Sequence, residues 1–74
     1  MVPETFQLRQ ELETRVNART GRRVRNLAVE LVPEGVVLHG RTSTYYVKQL
    51  AQQEVRSFLP TVRLQNAIVV YQEV

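Results

Sequence analysis

Residues 27–40 read LAVELVPEGVVLHG, two runs of alternating apolar residues on either side of Pro33-Glu34-Gly35. Alternation at period two is the signature of a strand with one buried face. A proline presets the first turn position, and Gly35 is able to take the left-handed conformation of a bulge, so the runs join as a β-hairpin through a three-residue connection. Leu27, Val29 and Leu31 then share one side of the first strand, with Ala28, Glu30 and Val32 on the other. In the second strand Val36, Leu38 and Gly40 share one side, with Val37, His39 and Arg41 opposite. A lone hairpin is marginal in water, so the rest of the chain must cover one of its faces.

The flanking segments are suited to that. Upstream, Leu8, Leu12 and Val16 recur every four residues as a narrow apolar helical stripe flanked by Arg15 and Arg19, and Gly21 stands where a helix C-terminus favours glycine. Phe6 falls off the stripe and is expected to fray or pack independently. Downstream, Thr42-Ser43-Thr44 offers N-cap residues before a segment that puts Val47, Leu50, Ala51, Val55 and Phe58 on one arc and ends before Pro60. Glu54 falls inside that arc. A carboxylate facing a core needs a partner, and Arg15 or Arg19 of the first helix is the expected one. The final run alternates again, with Val62, Leu64, Asn66, Ile68 and Val70 on one side and Arg63, Gln65, Ala67, Val69 and Tyr71 on the other.

The pattern predicts a single α+β domain over 1–74, in the order α-β-β-α-β. Its elements are a helix over 4–19, strands over 24–32 and 36–41, a helix over 44–59 and a strand over 62–71. Two amphipathic helices lie on one face of a three-stranded sheet. The second strand, second helix and third strand form a crossover that should be right-handed. A third strand beside the second makes the sheet mixed with the second strand central, the arrangement expected here; one beside the first would make it all antiparallel. At 74 residues, such a domain buries only about 60% of its unfolded surface. A groove, an edge or a flat face is therefore a more natural site than a deep cleft.

Composition narrows function further. Without cysteine there is neither a disulfide framework nor a thiolate metal site. No apolar stretch approaches the roughly 20 residues of a membrane span. The opening MVPETFQLRQ lacks the charged and apolar regions of a signal peptide. The compartment stays open: cytoplasmic for a full-length chain, envelope or periplasm for one excised from an exported protein. The net charge is +3, and nine of the ten basic residues are arginine. Arginine suits bidentate contact with phosphate or carboxylate. Five arginines, Arg15, Arg19, Arg22, Arg23 and Arg25, crowd the end of the first helix and the approach to the hairpin.

Two stretches carry a family resemblance. Residues 35–40, Gly-Val-Val-Leu-His-Gly, and the later Leu64, Asn66, Ile68 and Val70 resemble the corresponding strands of the BON domain, a small bacterial α-β-β-α-β module, and the likeness of element order spans nearly the whole chain. The family often has Gly-Val after its second helix, where this chain has Thr61-Val62. The resemblance implies a non-catalytic module that associates with phospholipid.

Two surfaces are candidate sites. Arg19, Arg22, Arg23 and Arg25 are expected to contact an anionic phospholipid or another anionic partner; the plainer reading makes them a solvated helix end. The side of the sheet away from the helices carries Val32, Val37, His39, Val69 and Tyr71, more apolar than an outer sheet face usually is. It is expected to be a protein-partner or homodimer contact; the plainer reading is β-propensity on a half-exposed surface. Nucleic acid is not expected, because no aromatic ladder or Gly-x-x-Gly loop accompanies the basic residues. His39 is the only histidine and has neither a metal-ligand set nor an acid assigned near it. Asn66 faces the core and should hydrogen-bond backbone near the turn after the second helix. Gly40 suits close approach of a helix to the sheet. No nucleophile, base and orienting group assemble, so neither catalysis, a cofactor nor a metal is expected. The resulting reading is a binding module for anionic phospholipid or a protein partner. Its alternative is an adaptor or homodimerisation module without lipid affinity.

Overall fold

The computed structural model describes residues 4–71; residues 1–3 and 72–74 of the predicted domain lie outside the described residues. The elements are α1 (Glu4–Thr20), β1 (Arg25–Val32), β2 (Gly35–Thr42), α2 (Tyr45–Phe58) and β3 (Arg63–Val70). β2 is central, antiparallel to β1 and parallel to β3, so the three-stranded sheet is mixed. α1 packs against β1 and α2, and α2 lies over β3 and β2. The fold is α+β with both helices on one face.

The core is where the two layers meet. Leu12 and Val16 of α1, Val47, Ala51 and Val55 of α2, and Val29, Leu38 and Ile68 of the sheet form one buried cluster. Burying each larger apolar side chain contributes about 1.5–3 kcal/mol, set against the conformational entropy of ordering the chain. The stripe of α1 continues one turn beyond Val16 to Thr20, which is fully buried and donates its hydroxyl to the Val16 carbonyl at 2.7 Å. The helix therefore runs to Thr20 rather than stopping at residue 19. Arg22 N–H donates to Asn17 C=O at 2.9 Å across its end, the long bond of a Schellman-type terminus. Thr44 caps α2, its hydroxyl accepting from Val47 N–H at 3.2 Å. At the other end Leu59 N–H donates to Val55 C=O at 2.7 Å before Pro60 stops the helix. Phe6, off the stripe, is exposed with the Arg9 guanidinium over its ring.

Glu54 finds the predicted kind of partner. Its carboxylate lies 3.5 Å from Arg15 Nη1, while Arg15 Nε donates to Glu11 at 2.9 Å and the guanidinium stacks 4.0 Å from the centre of the Phe58 ring. Arg15 is thus a bolt between the helices.

Strict alternation fails at one point in β1. Arg25 pairs with Arg41, but the next pair is Ala28 with His39, so Asn26 and Leu27 together stand opposite Gly40 alone. This is a β-bulge, with Asn26 at φ 55°. It reverses the facing of everything before it. Val24, which uninterrupted alternation puts outside, is buried, and Arg25 is turned out to solvent. The bulge also corrects the reason for Gly40. A Cβ there would meet Val24 Cγ1 at 2.6 Å and the Arg25 carbonyl at 3.1 Å, so the close approach comes from β1, not from a helix.

The hairpin connection is shorter than expected. Val32 pairs directly with Gly35, leaving Pro33 and Glu34 as a two-residue turn. Gly35 has φ 155°, and a Cβ on it would lie 2.0 Å from the Arg63 carbonyl oxygen of β3. Glycine is needed for its positive φ, as read from the sequence, and also because β3 crosses close there; what differs is that Gly35 pairs with Val32 instead of standing in a bulge.

Both sheet edges are partly closed by side chains. Val29 N–H, on the outer side of β1, donates to the Glu13 carboxylate of α1 at 3.3 Å. Tyr71 N–H donates to Thr42 C=O, so the odd-numbered residues of β3 turn their amides towards β2 and the even-numbered ones turn theirs outward. One outward amide, Ile68 N–H, is taken by Asn66 Oδ1 at 3.2 Å. Asn66 Nδ2 donates to Lys48 C=O at 3.0 Å and to Gln52 Oε1 at 3.3 Å. The buried amide is satisfied by the middle of α2, not by the turn after it.

Candidate functional site

Five chain segments converge at the end of the sheet opposite the hairpin turn. They are the end of α1, the start of β1, the ends of β2 and β3, and the start of α2. Residues 15–29 and 35–53, which supply most of this end, contain no acidic side chain but hold Arg15, Arg19, Arg22, Arg23, Arg25, Arg41 and Lys48. The clustering that the sequence shows in one stretch is therefore reinforced from a second.

Arg22, Arg23 and Arg25 line one open groove of about 410 Å³ together with Ser43, Thr44 and Tyr71. Backbone geometry brings them there. Gly21 and Arg22 are both left-handed, at φ 63° and 58°, which reverses the chain after α1, and the Asn26 bulge turns Arg25 outward. Across the groove lies the first turn of α2, with the positive end of its dipole. Tyr45 and Tyr46 stand exposed in that turn.

The arginines differ in what already holds them. Arg15 is bound to Glu11, Glu54 and Phe58, as described, and does not belong to the groove. Arg23 donates from Nε to Thr20 C=O at 2.8 Å, satisfying one of the last carbonyls of α1 and leaving its terminal nitrogens for other partners. Arg19, Arg22 and Arg25 are exposed and have no ion-pair partner among the described residues. Of the four predicted contacts, Arg22, Arg23 and Arg25 come together, and Arg19 stands on the last turn of α1 outside the groove lining.

The second predicted surface is a single face. Cross-strand register places Ala28, His39 and Ala67 in one row, Glu30, Val37 and Gln65 in the next, and Val32, Gly35 and Arg63 beyond them. Towards the other end lie Arg25, Arg41 and Val69, with the Arg41 guanidinium 5.0 Å from the centre of the Tyr71 ring. Val69 is 55% exposed; Val32, Val37, His39 and Tyr71 are half-buried by their neighbours rather than by any helix. His39 does have an acid beside it: its Nε2 is 2.9 Å from Glu30 Oε1, a diagonal neighbour across the β1–β2 ladder.

Sequence reasoning named the arginines but not the hydroxyls of Ser43 and Thr44, nor Arg41. Proximity of residues 22–25 to residues 42–44 follows from the antiparallel β1–β2 register, so extending the hairpin pairing outward was the available signal. Asn26 was a second one, since asparagine tolerates the left-handed region better than most residues.

No helix among the described residues is long and apolar enough to cross a membrane. Compared with protein-family models, curated proteins and solved structures, the chain matches none.

Proposed function

We propose that this chain is a non-catalytic binding module of BON type, and that its basic end docks on anionic phospholipid headgroups. The observation that carries this reading is the convergence of Arg22, Arg23 and Arg25 in one groove at an end of the molecule built from acid-free segments. Guanidinium groups match phosphate in geometry, and each basic residue near an anionic leaflet contributes about 1 kcal/mol. Exposed Tyr45 and Tyr46 stand beside the groove, and tyrosine is a residue type favoured at the boundary between headgroup and hydrocarbon. Contact of this kind needs no deep pocket, which suits so small a domain.

Flotation with vesicles tests the reading. Binding to vesicles containing phosphatidylserine or phosphatidylglycerol should exceed binding to pure phosphatidylcholine and should fall as salt is raised. Arg22→Glu/Arg23→Glu should bind at least about 30-fold more weakly, since two lost charges alone correspond to roughly 2 kcal/mol. Arg9→Glu/Arg56→Glu, with the same change in net charge on other surfaces, should bind nearly as the original. No preference for anionic vesicles, or equal loss in both double variants, rejects the lipid reading and leaves the adaptor reading.

A further inference from the structure

We propose that the open sheet face is covered by a second copy of this chain, stacked face to face about a two-fold axis that lies between the sheets and runs across the strands. Both edges are obstructed, at Val29 by Glu13 and at Ile68 by Asn66, so extension of the sheet by strand addition is disfavoured at each. The face has no such cover. In its middle row the small Ala28 and Ala67 flank His39 of the central strand, which leaves room on either side of the imidazole for a second sheet to approach.

Charge identifies the occupant. Arg25 and Arg41 lie at one end of the face, and Glu34 lies at the other, where Arg63 of β3 also stands. At the Glu34 end Gly35 leaves a depression of about 200 Å³ lined by Val32, Glu34, Val37, Arg63 and Gln65. At the opposite end Arg41 projects, supported by the Tyr71 ring. A two-fold axis across the strands sets each strand antiparallel over its own copy. Arg41 of one copy then meets the Gly35 depression and the Glu34 carboxylate of the other, and the reverse contact forms at the same time. Along β3, Arg63 comes over Val69 and Tyr71 of the mate, where a guanidinium finds an aromatic ring. The alternative axis, parallel to the strands, sets Arg41 on Arg41 and is repulsive. The face is thus complementary to its own rotated copy in one arrangement.

Its size sets the strength. Three strands about 4.8 Å apart, rising about 3.3 Å per residue over eight residues each, present roughly 380 Å². Two copies bury roughly 760 Å², below the about 1,200 Å² of stable complexes. The dimer is therefore weak and concentration-dependent.

Sedimentation equilibrium from about 10 µM to 1 mM on the full chain tests the proposal. The mean mass should rise towards that of a dimer across that range. Arg41→Glu and Glu34→Arg should each weaken self-association at least about tenfold, because each opposes like charges across the interface. An equimolar mixture of the two variants should recover it, since each then faces its opposite. Ala67→Arg, in the middle of the face, should abolish it while circular dichroism shows the fold retained. A strictly monomeric mass at the highest concentration overturns the proposal, as does a dimer that survives Ala67→Arg or variants that fail to rescue each other. Self-association is read by sedimentation with no vesicles present, and Glu34 and Ala67 lie away from the basic end, so failure of the dimer and failure of the lipid reading are distinguishable.

Discussion

The two ends of the sheet reverse the chain in opposite ways. At the hairpin end a two-residue turn leads into Gly35, whose φ of 155° and contact with the Arg63 carbonyl leave no room for a side chain. The surroundings are apolar, with Leu31, Leu59 and Val62 packed against the core. At the other end the chain also takes positive φ, but two of the four residues that adopt it there carry side chains: Arg22 at φ 58° and Asn26 at φ 55°, beside Gly21 at 63° and Gly40 at 152°. A left-handed non-glycine residue costs about 1–2 kcal/mol. Where the fold alone sets the requirement, glycine meets it. At Arg22 and Asn26 a side chain stands where glycine would adopt the backbone more easily.

Breaking the hairpin end should have the largest effect. In Gly35→Ala the new Cβ would sit 2.0 Å from the Arg63 carbonyl oxygen, a backbone atom that cannot swing away, so β3 or the turn must move. Destabilisation of about 3 kcal/mol or more is expected, lowering Tm by roughly 12–24 °C in a domain of this size. Thermal melting followed by circular dichroism reads this directly. A Tm within a few degrees of the original would mean that β3 does not cross there so closely, and the contrast between the ends would fail.

Asn66→Ala should have an intermediate effect. It removes the acceptor for Ile68 N–H and both links from β3 to Lys48 and Gln52 of α2. A loss of about 1–2 kcal/mol is expected by urea denaturation. Because the outward amide of Ile68 is then free, the variant should also aggregate more readily than Glu54→Gln, which weakens a partly exposed ion pair worth under about 1 kcal/mol and leaves the edge as it was.

Asn66 also marks how far the sequence could be read. That it faced inward and required partners followed from alternation; which partners it used depended on where α2 crosses β3, which no local pattern encodes. The same division runs through the molecule. Period two gave the strands, period 3.6 gave the helices, and a misplaced carboxylate at Glu54 was enough to infer a pair with Arg15 or Arg19, of which the structure has Arg15. The order of elements followed from these periods, but the central place of β2 was one of two arrangements that the pattern allowed, and the structure has the mixed one. The bulge left only a faint mark, the tolerance of Asn26 for the left-handed region, because one inserted residue barely alters composition yet reverses the facing of Val24 and Arg25. Thr20 was overlooked because a buried polar residue does not continue an apolar stripe. Of the candidate site, the arginines were legible as a cluster, whereas the groove was not: Ser43, Thr44 and Tyr71 reach it from segments joined only by the fold. The Glu30–His39 contact was hidden for the same reason, being a diagonal across the ladder.

The smallest expected effect has the opposite sign and bears most on the comparison. Arg22→Gly should stabilise the domain by about 0.5–1 kcal/mol, because glycine takes φ near 58° without the clash that arginine bears. The gain is partly offset by the greater entropy of an unfolded chain with one more glycine, which is why it falls short of the full left-handed penalty. Arg22→Ala keeps the Cβ and so keeps the strain, and its stability should stay within about 0.5 kcal/mol of the original. Both lose the guanidinium, so both should lower binding to anionic vesicles by about fivefold, the effect of one charge near the surface. Gain of stability with loss of binding in the glycine variant, and loss of binding alone in the alanine variant, would separate the backbone's interest from the side chain's at one position. If Arg22→Gly instead destabilises the fold, the arginine is holding the end of α1 in place, and the two ends of the sheet differ less than their backbones suggest.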